Sequence, residues 1–368
     1  MKVLVSIILL LVLVAATSFA WFWICMERPY RGFPAQGVFV DLPHGASSRT
    51  VARLLKQNRV IRSAIAFEIY ARRHPRRQLQ AGEYFFDRSL SGHDVFWQIA
   101  DGRIYEQPFT VREGETIFDI ARDLEAGKFM TAAAFLASAQ NSELIRDIAP
   151  NAKTLEGFLY PATYNLPRHP VAIELTAEMI RKFKEEWARA VSTAKIAPGP
   201  GLMLQVVTLA SLVERETPKP DERPLVAGVF ENRLHKNMRL QCDPTVIYAL
   251  EQTGQYKGLL TGPDLRVDSD YNTYERTGLP PGPIGNPGEV SLRAAMTPAQ
   301  TNFLYFVANT EGGHFFAATL EEHNRNVTKY HRLQAGLPGD PPPPPATPKK
   351  SPDSNRHQVT SRHRGSAQ

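Results

Sequence analysis

Uncharged, mostly apolar residues fill the start of the chain without interruption from Val3 to Cys25. The run is longer than the roughly 20 residues that a membrane-spanning helix needs. A cleaved signal peptide is the alternative, because the sequence SFA ending at Ala20 resembles a small-residue cleavage site. The apolar run continues past Ala20 into WFWIC, which is typical of an aromatic belt at a membrane interface. We therefore predict that residues 1–25 form a retained transmembrane anchor.

Two later stretches share one pattern of apolar and polar positions, which indicates an internal repeat. Residues 45–61 (GASSRTVARLLKQNRVI) match residues 114–130 (GETIFDIARDLEAGKFM) at a constant offset. In each copy a short β-prone stretch precedes a Ser or Thr that can cap an amphipathic helix, and a second helix follows. A further strand and helix follow the first copy. The pattern predicts two small α+β units, at 37–106 and at 107–150.

The segment TVREGETIFDIARDL, which opens the second copy, resembles the opening of a LysM module. LysM is a small fold known for binding peptidoglycan and chitin glycans. The resemblance covers about one helix and its approach, and it implies that the two copies are LysM-like α+β modules. A rigid spacer without glycan affinity stays open as the alternative role of this region.

The remaining chain divides into a motif-rich region and a tail. Residues 151–337 are dense in Tyr, Asn, Pro and Gly motifs and contain a long helical pattern at 171–192, which predicts a larger third domain. Residues 338–368 are Pro-rich and basic, with almost no apolar residues to bury, so they are predicted to be disordered. Several folded units agree with a length of 368 residues, which is too long for one ordinary core.

The net charge of +6 changes this picture little. Part of the basic excess lies in the tail, which leaves the folded part mildly basic and gives no support for a nucleic-acid partner. Two cysteines, Cys25 and Cys242, are too few for a disulfide framework or a metal cluster. His314 and His323 do not have a convincing metal-ligand spacing, and the chain has no phosphate-cradling glycine loop. We expect neither a metal nor a cofactor.

The segment TLASLVERE, residues 208–216, takes an almost wholly apolar helix into three consecutive charges. Residues three, four and seven apart share a helix face, so Glu214 lies over Val207 and Ala210, and Glu216 lies over other apolar residues. Desolvation on such a face would raise the pKa of a carboxyl group towards a value that suits a general acid. A helix end that simply reaches water is the alternative, and the segment alone does not decide between the two.

Three further motifs supply the aromatic, amide and hydroxyl groups that suit sugar rings. They are a Tyr-Pro turn at 155–167, a loop entering a helix at 238–250 and a Pro-stiffened loop at 271–288. The candidate glycan-binding residues in these motifs are Tyr160, Tyr164, Gln241, Asp243, Thr245, Tyr271, Asn272 and Tyr274. Asp243, which stands before Pro-Thr, is also typical of a helix cap.

Taken in order, the segments ASLVERE, VFENRL, MRLQCDPTVIYAL, YNTY, GLPPGPIGNPG and LYFVA closely resemble the endolytic murein transglycosylase family, also called YceG-like. The resemblance is strong over roughly residues 154–330. It implies an α+β catalytic domain at 151–337, and it implies that the catalytic acid is Glu214, the first Glu of the family's Glu-x-Glu motif. Cys242 stands where Thr or Ser is common in the family, and this departure does not touch the acid.

The resemblance also implies an activity and a location. The chain would be a lytic transglycosylase that cleaves the MurNAc-β-1,4-GlcNAc bond of nascent peptidoglycan strands, leaves 1,6-anhydro-MurNAc ends and so terminates glycan elongation. It would be a single-pass protein of the cell inner membrane whose catalytic domain faces the periplasm. Its implied partners are the glycan strands and the peptidoglycan synthases.

Two alternatives remain open at this point. One is a non-catalytic peptidoglycan-binding scaffold for the synthases. The other is a hydrolysing muramidase, which needs a second carboxylate about 5 to 9.5 Å from the first, with Asp243 and Glu156 as candidates. Glu216 is expected to orient a partner or to pair with Arg233 or Arg239.

Overall fold

The computed structural model describes residues 2–194 and 199–339, which combine helices and strands in two compact units. The first unit ends at Asn302. This boundary falls inside the segment 151–337 that the sequence predicts as one domain. The difference has a local cause, because the last two strands pair with each other and the last helix packs on them.

The first helix, α1 (Lys2–Glu27), carries no charge between its two terminal residues. By length and apolar composition it is able to cross a membrane, and its most apolar stretch is not buried by the rest of the chain. Its last turn differs, since Cys25 and Met26 are buried and cluster with Ala66 of the following α+β unit. The helix therefore ends in a packed contact and not in a free linker.

The first α+β unit contains two strands and three helices around one apolar core. In chain order they are β1 (Val38–Leu42), α2 (Ser48–Gln57), α3 (Ala64–Arg73), β2 (Gly82–Phe86) and α4 (Gly92–Ala100). Strands β1 and β2 pair antiparallel, with Val40 opposite Tyr84. Val40, Leu42 and Tyr84 are buried in the core because alternate residues of a strand point to the same face.

The second copy of the repeat has the same strand–helix–helix–strand order. Its elements are β3 (Gln107–Thr110), α5 (Ile117–Ala126), α6 (Ala132–Ala139), a 3-10 turn (Ser142–Ile145) and β4 (Thr163–Leu166). Thr116 caps α5 in a capping box with Asp119, as Ser47 caps α2 in the first copy. Gly45 and Gly114 have φ angles of 72° and 81°. The turn before each of the two capped helices therefore needs a residue that tolerates the left-handed region.

Strand β4 completes the second copy although it lies beyond residue 150. It pairs antiparallel with β3, and Phe109 stands opposite Tyr164. A strand leaves its backbone groups unsatisfied until it finds a partner, so the chain has to return past the two helices before the sheet can form. The second predicted unit and the segment that follows it are therefore joined through one sheet.

Five further helices are described in the first unit. They are α7 (Ala172–Ala194), α8 (Pro200–Glu216), α9 (Arg223–His235), α10 (Asp243–Gln252) and α11 (Glu289–Met296). The short helix α11 packs against α7, α8 and α9. In α8, Val207, Ala210 and Val213 have no exposed surface, since this helix carries apolar residues on most of its faces. This packing fixes the position of the charged end of α8.

The second unit is described as far as Gly339 and consists of a hairpin and one helix. Strands β5 (Tyr305–Ala308) and β6 (His314–Ala317) pair antiparallel, and α12 (Leu320–Gln334) packs on them. Thr319 and Glu322 form the capping box that begins α12. The tail predicted at 338–368 lies outside the described residues from position 340 onward.

Candidate active site

Helix α8 ends in three charged residues whose side chains have different surroundings. Glu214 is buried, with 4% of its side chain exposed, whereas Arg215 and Glu216 are half-buried. Successive residues of a helix project about 100° apart, which separates the three groups. The Arg215 guanidinium donates to the carbonyl oxygen of Ile284 at 2.9 Å and lies 3.8 Å from the Glu251 carboxylate.

Both carboxylate oxygens of Glu214 accept hydrogen bonds. Oε1 is 2.5 Å from Nη2 of the buried Arg223, and Oε2 accepts from the backbone N–H of Gly288 at 3.0 Å. The same guanidinium lies 3.4 Å from Oε2 of Glu113, whose side chain is 48% exposed. Glu113 belongs to the approach to α5, so this ion-pair network joins the end of α8 to the second copy of the repeat.

The contacts of Glu214 are those of an ionised group. Burial raises the pKa of Glu214, while the Gly288 N–H and the charge of Arg223 oppose that rise. A buried guanidinium is costly unless a carboxylate neutralises it, and Glu214 is the buried partner of Arg223. With 4% of its side chain exposed, Glu214 also offers almost no surface to a substrate. Its contacts therefore suit a structural ion pair.

Glu216 has the opposite character. Its charged and hydrogen-bonding neighbours include Cys242, Asp243 and Arg233, which lie at the entry to α10 and on α9. Burial raises the pKa of Glu216 to about 7, the thiol of Cys242 and the charge of Arg233 oppose the rise, and the charge of Asp243 adds to it. The residue as a whole is half-buried, so part of its surface is open to solvent. An acid that holds its proton near neutral pH and reaches solvent is able to protonate a bound substrate.

Two of the predicted glycan-binding residues, Asp243 and Tyr274, interact electrostatically with Glu216, and a third, Gln241, contacts its neighbour Arg233. The Tyr274 hydroxyl donates to Oδ1 of Asp243 at 2.5 Å, and burial together with the charges of Asp243 and Glu216 raises the pKa of Tyr274. Gln241 accepts from the Arg233 guanidinium at 3.4 Å and has a φ of 52°, which is uncommon for a residue with a side chain. Backbone strain of this kind is concentrated at functional sites.

The other five predicted residues brace the surrounding loops. They are Tyr160, Tyr164, Thr245, Tyr271 and Asn272. Thr245 and Asn272 have no exposed surface, and they donate to the carbonyl oxygens of Cys242 at 2.7 Å and of Val267 at 2.8 Å. The Tyr164 hydroxyl donates to the carbonyl oxygen of Tyr160 at 2.5 Å, and the ring of Tyr271 lies 4.9 Å from that of Tyr248. The contacts of Thr245, Tyr271 and Asn272 shape the loops that carry Gln241 and Tyr274, whereas the contact between Tyr164 and Tyr160 braces the Tyr-Pro turn.

Sequence reasoning missed the residues that hold this region together, namely Arg223, Glu113 and Asn286. The Oδ1 atom of Asn286 accepts from the backbone N–H of Gly157 at 2.9 Å, and its Nδ2 donates to the carbonyl oxygen of Glu115 at 2.8 Å. It thereby ties the Tyr-Pro turn to the approach of α5. The position of Asn286 among the prolines of GLPPGPIGNPG was the one feature of the sequence that could have pointed to its role. Nothing in the sequence marked Arg223 or Glu113 as partners of Glu214.

Glu156, a candidate for a second catalytic carboxylate, is enclosed in the core with 1% of its surface exposed. Its oxygens accept from the backbone N–H of Ile117 at 3.1 Å and from the amide of Asn286 at 3.2 Å. Burial raises the pKa of Glu156 to about 8. Burial therefore favours the neutral form of Glu156, which holds the beginning of α5 and has almost no surface on which to activate a water molecule.

No group of three or more His, Cys, Asp or Glu residues in the described part of the chain is placed to hold a metal ion. Within the second unit, the ring of His314 lies 5.2 Å from that of Phe306, and His323 stacks on Tyr305 at 5.2 Å. Both histidines take part in aromatic packing around the β5–β6 hairpin.

A family model and several similar proteins indicate the same family. The model of the YceG-like family matches residues 40–329. The endolytic murein transglycosylase of Bacillus subtilis (strain 168) is 33% identical over 312 residues, which are 80% of this chain and 84% of that protein. The protein of the same name from Streptococcus pneumoniae (strain D39) is 31% identical over 323 residues, and the match spans only 58% of its length.

A solved structure agrees with these sequence matches. The crystal structure of a YceG-like protein from Listeria monocytogenes is 32% identical to this chain and superposes with a TM-score of 0.52. The match covers 79% of this chain and 99% of the Listeria chain. This chain therefore belongs to the YceG-like family.

Proposed function

We propose that this chain is a membrane-anchored endolytic lytic transglycosylase. It cleaves the MurNAc-β-1,4-GlcNAc bond of nascent peptidoglycan strands, leaves 1,6-anhydro-MurNAc ends and so terminates glycan elongation. The observation that carries the proposal is the partly exposed Glu216, whose pKa is raised to about 7 in the neighbourhood of Asp243 and Tyr274. The name of the curated relatives, endolytic murein transglycosylase, supports the same reaction class.

We assign the role of catalytic acid to Glu216 and not to Glu214, the residue that the sequence resemblance implied. Glu214 is paired with Arg223 and almost fully buried, so it is poorly suited to reach a glycosidic oxygen, although burial raises its pKa as well. Glu216 leaves the same helix two residues later, is half-buried and has its pKa raised to about 7. In this assignment Glu214 is a positioning residue that fixes the end of α8.

One carboxyl group suffices for the proposed reaction. Glu216 donates its proton to the glycosidic oxygen while the bond between that oxygen and C1 of MurNAc breaks. The C6 hydroxyl of the same MurNAc attacks C1, and the Glu216 carboxylate takes the hydroxyl proton, which forms the 1,6-anhydro ring and restores the acid. No water enters the product, so no second carboxylate is needed to activate one. The cycle requires no metal or cofactor.

The neighbours of Glu216 are suited to holding a sugar chain. Tyr274 contributes a partly exposed aromatic ring and Gln241 an exposed amide, which are group types that bind sugars. Asp243 accepts the Tyr274 hydroxyl and so orients the ring. The charge of Asp243 has a second effect, because it helps to keep the proton on Glu216.

A hydrolysing muramidase is the second candidate, because the exposed Asp243 lies close enough to Glu216 to raise its pKa. Hydrolysis needs a second carboxylate that activates water or attacks the sugar. Oδ1 of Asp243 is engaged by Tyr274, which leaves Oδ2 for a water molecule. The products separate the two reactions, since hydrolysis leaves reducing ends and transglycosylation leaves anhydro ends.

The proposed location follows from α1. Its length and apolar composition support a single-pass anchor in the cell inner membrane, with the folded units in the periplasm beside the nascent strands. Peptidoglycan synthases are the proposed protein partners by family resemblance. The two strand–helix–helix–strand units are proposed to be LysM-like modules.

Glu216→Gln and Glu214→Gln form a matched test, because each removes one carboxylate from the same helix end. Purified full-length chain is incubated with sacculi, and mass spectrometry measures the anhydro ends that are released. We expect Glu216→Gln to lower the rate by ~10²- to 10⁴-fold, the usual loss for a general acid. Folded Glu214→Gln protein should stay within about tenfold of the wild type, since it keeps that acid.

Each outcome decides between the candidates. Release of anhydro ends by Glu216→Gln at the wild-type rate would refute the assignment of the acid. Reducing ends from the wild-type chain would establish the muramidase. The absence of new ends of either kind, from a chain that binds sacculi, would establish the scaffold.

A further inference from the structure

The end of α1 is packed against α3 of the first α+β unit. Phe22 and Met26 cluster with Ala66 and Tyr70 of α3. The guanidinium of Arg73, in the last turn of α3, lies 5.7 Å from the centre of the Phe22 ring. Helix α3 is therefore held beside the last turns of α1.

This contact sets the height of α3 relative to a membrane. A hydrocarbon core about 30 Å thick takes up about 20 residues of helix, so an apolar run that begins at Val3 reaches the second interface at about Phe22. Trp21 and Trp23 flank that position, where aromatic side chains are enriched. Because α3 packs on Phe22, it lies at the level of the lipid head groups. This step rests on the proposed anchorage by α1.

One face of α3 is both apolar and basic, and it is not covered by the chain. Ile65 and Ile69 are 64% and 39% exposed. Arg72 and Arg73 follow Ile65 at seven and eight residues, so that the four side chains share a face, which we call the docking face. Phe67, on the opposite side of the helix, is fully buried in the core of the unit. Helix α3 is therefore packed into the core of the unit through its other face, and the two isoleucines take no part in that packing.

The surroundings of the docking face are strongly basic. Between Lys56 and Arg77 the sequence contains seven Lys and Arg residues and one acidic residue, Glu68. Glu68 is engaged by Arg49 and Arg72 at 3.3 and 2.5 Å. Basic clusters next to a membrane helix attract anionic lipid head groups, over a range of about 10 Å at 0.1 M salt. Apolar side chains beside such a cluster enter the boundary between head groups and acyl chains.

We propose that the docking face of α3 binds the anionic surface of the bilayer that α1 crosses. Ile65 and Ile69 enter the head-group region, and Arg72 and Arg73 contact lipid phosphates. Charge complementarity and continuity with the apolar surface of α1 select lipid as the occupant. Docking holds the first α+β unit against the membrane surface. It thereby sets the height above the membrane at which the rest of the first compact unit meets a glycan strand.

Single-cysteine labels on the full chain in proteoliposomes test this proposal. The native Cys25 and Cys242 are buried, so an environment-sensitive dye can be directed to Ile65→Cys. The matched control is Leu259→Cys, at a leucine that is 73% exposed and lies on a loop. In brominated bilayers that contain phosphatidylglycerol, we expect a blue shift and quenching of the dye on Ile65→Cys and neither on Leu259→Cys. Bilayers of phosphatidylcholine alone, or added salt, should reduce the quenching.

The outcomes separate docking from anchorage. If the dye on Ile65→Cys is unquenched while the chain resists an alkaline carbonate wash, docking is overturned and the anchorage stands. If carbonate releases the chain, the anchorage is overturned, and the released chain mixed with the same vesicles then decides docking by the same quenching.

Two further arms test the occupant and the charge. Energy transfer between labels on two chains, in place of quenching by lipid, would assign the docking face to a second copy and overturn lipid binding. Adding Arg72→Gln and Arg73→Gln to the labelled Ile65→Cys chain should weaken quenching in phosphatidylglycerol bilayers and leave it unchanged in phosphatidylcholine. Unchanged quenching in both would overturn the role of the arginines.

Discussion

Replacing Asp243 by Asn should move the alkaline limb of the pH–activity profile to lower pH. If Glu216 is the proton donor, its pKa of about 7 makes activity fall about tenfold per pH unit above that value. The charge of Asp243 is one cause of the raised pKa. A change of about 0.5 to 1 pKa unit corresponds to about 0.7 to 1.4 kcal/mol, which is the scale of a screened charge pair near a protein surface. Because Asp243 is exposed and its charge is screened by solvent, we expect the limb to move by about 0.5 to 1 pH unit.

Glu113→Gln is the matched control, because the charge of Glu113 raises the pKa of Glu214 just as Asp243 acts on Glu216. The assay measures kcat/KM for release of anhydro-muropeptides between about pH 5 and about pH 9. The amide oxygen of an asparagine can still accept from the Tyr274 hydroxyl. A weakening of that hydrogen bond would lower the rate at every pH, so it would not imitate a shift of the limb. A limb that moves with Glu113→Gln and stays in place with Asp243→Asn would refute Glu216 as the acid.

Three further outcomes concern buried polar groups. Glu214→Gln should cost about 2 to 4 kcal/mol in urea unfolding, because Arg223 keeps only a half-exposed counter-charge; a cost below about 0.5 kcal/mol would contradict the ion pair. The pKa of Glu156 is raised from 4.5 to about 8, so its contribution to stability is full below pH 4.5 and is lost as the pH rises through 8. Glu156→Gln should remove this slope, and parallel stability–pH curves would contradict it. Asn286→Ala should cost about 2 to 4 kcal/mol, measured in the same way, since it leaves buried backbone groups unpaired; an unchanged unfolding midpoint would count against that role.

The elements of the repeat could be predicted from the sequence because their signals are local. Ser47 and Thr116 cap helices within three residues of themselves, and Gly45 and Gly114 mark the turns before them. Strand β4 could not be predicted in the same way. Its partner β3 lies more than fifty residues earlier, and no local pattern in TYNL specifies that pairing.

The environment of the acid could be predicted only in part, for a related reason. Helix periodicity sets both Glu214 and Glu216 against apolar residues, and desolvation raises the pKa of either. Their partners distinguish them. Glu214 meets Arg223 and the N–H of Gly288, whereas Glu216 meets Asp243. These partners come from a following helix and from remote loops, so only the folded chain brings them to the end of α8.

The end of α8 gives two acids that lie two residues apart different partners. The exposed carbonyl groups at a helix C-terminus carry partial negative charge, which disfavours an anion in the last turn. An ionised Glu214 therefore needs the cation of Arg223, and this pair fixes the direction of the helix end. Glu216 lies about 200° further round the helix, where the charge of Asp243 joins burial in favouring the protonated form. The partial negative charge of these carbonyl groups makes the ion pair necessary at Glu214, and it also helps to keep a proton on Glu216. The ion pair in turn holds the helix end that carries Glu216 in place.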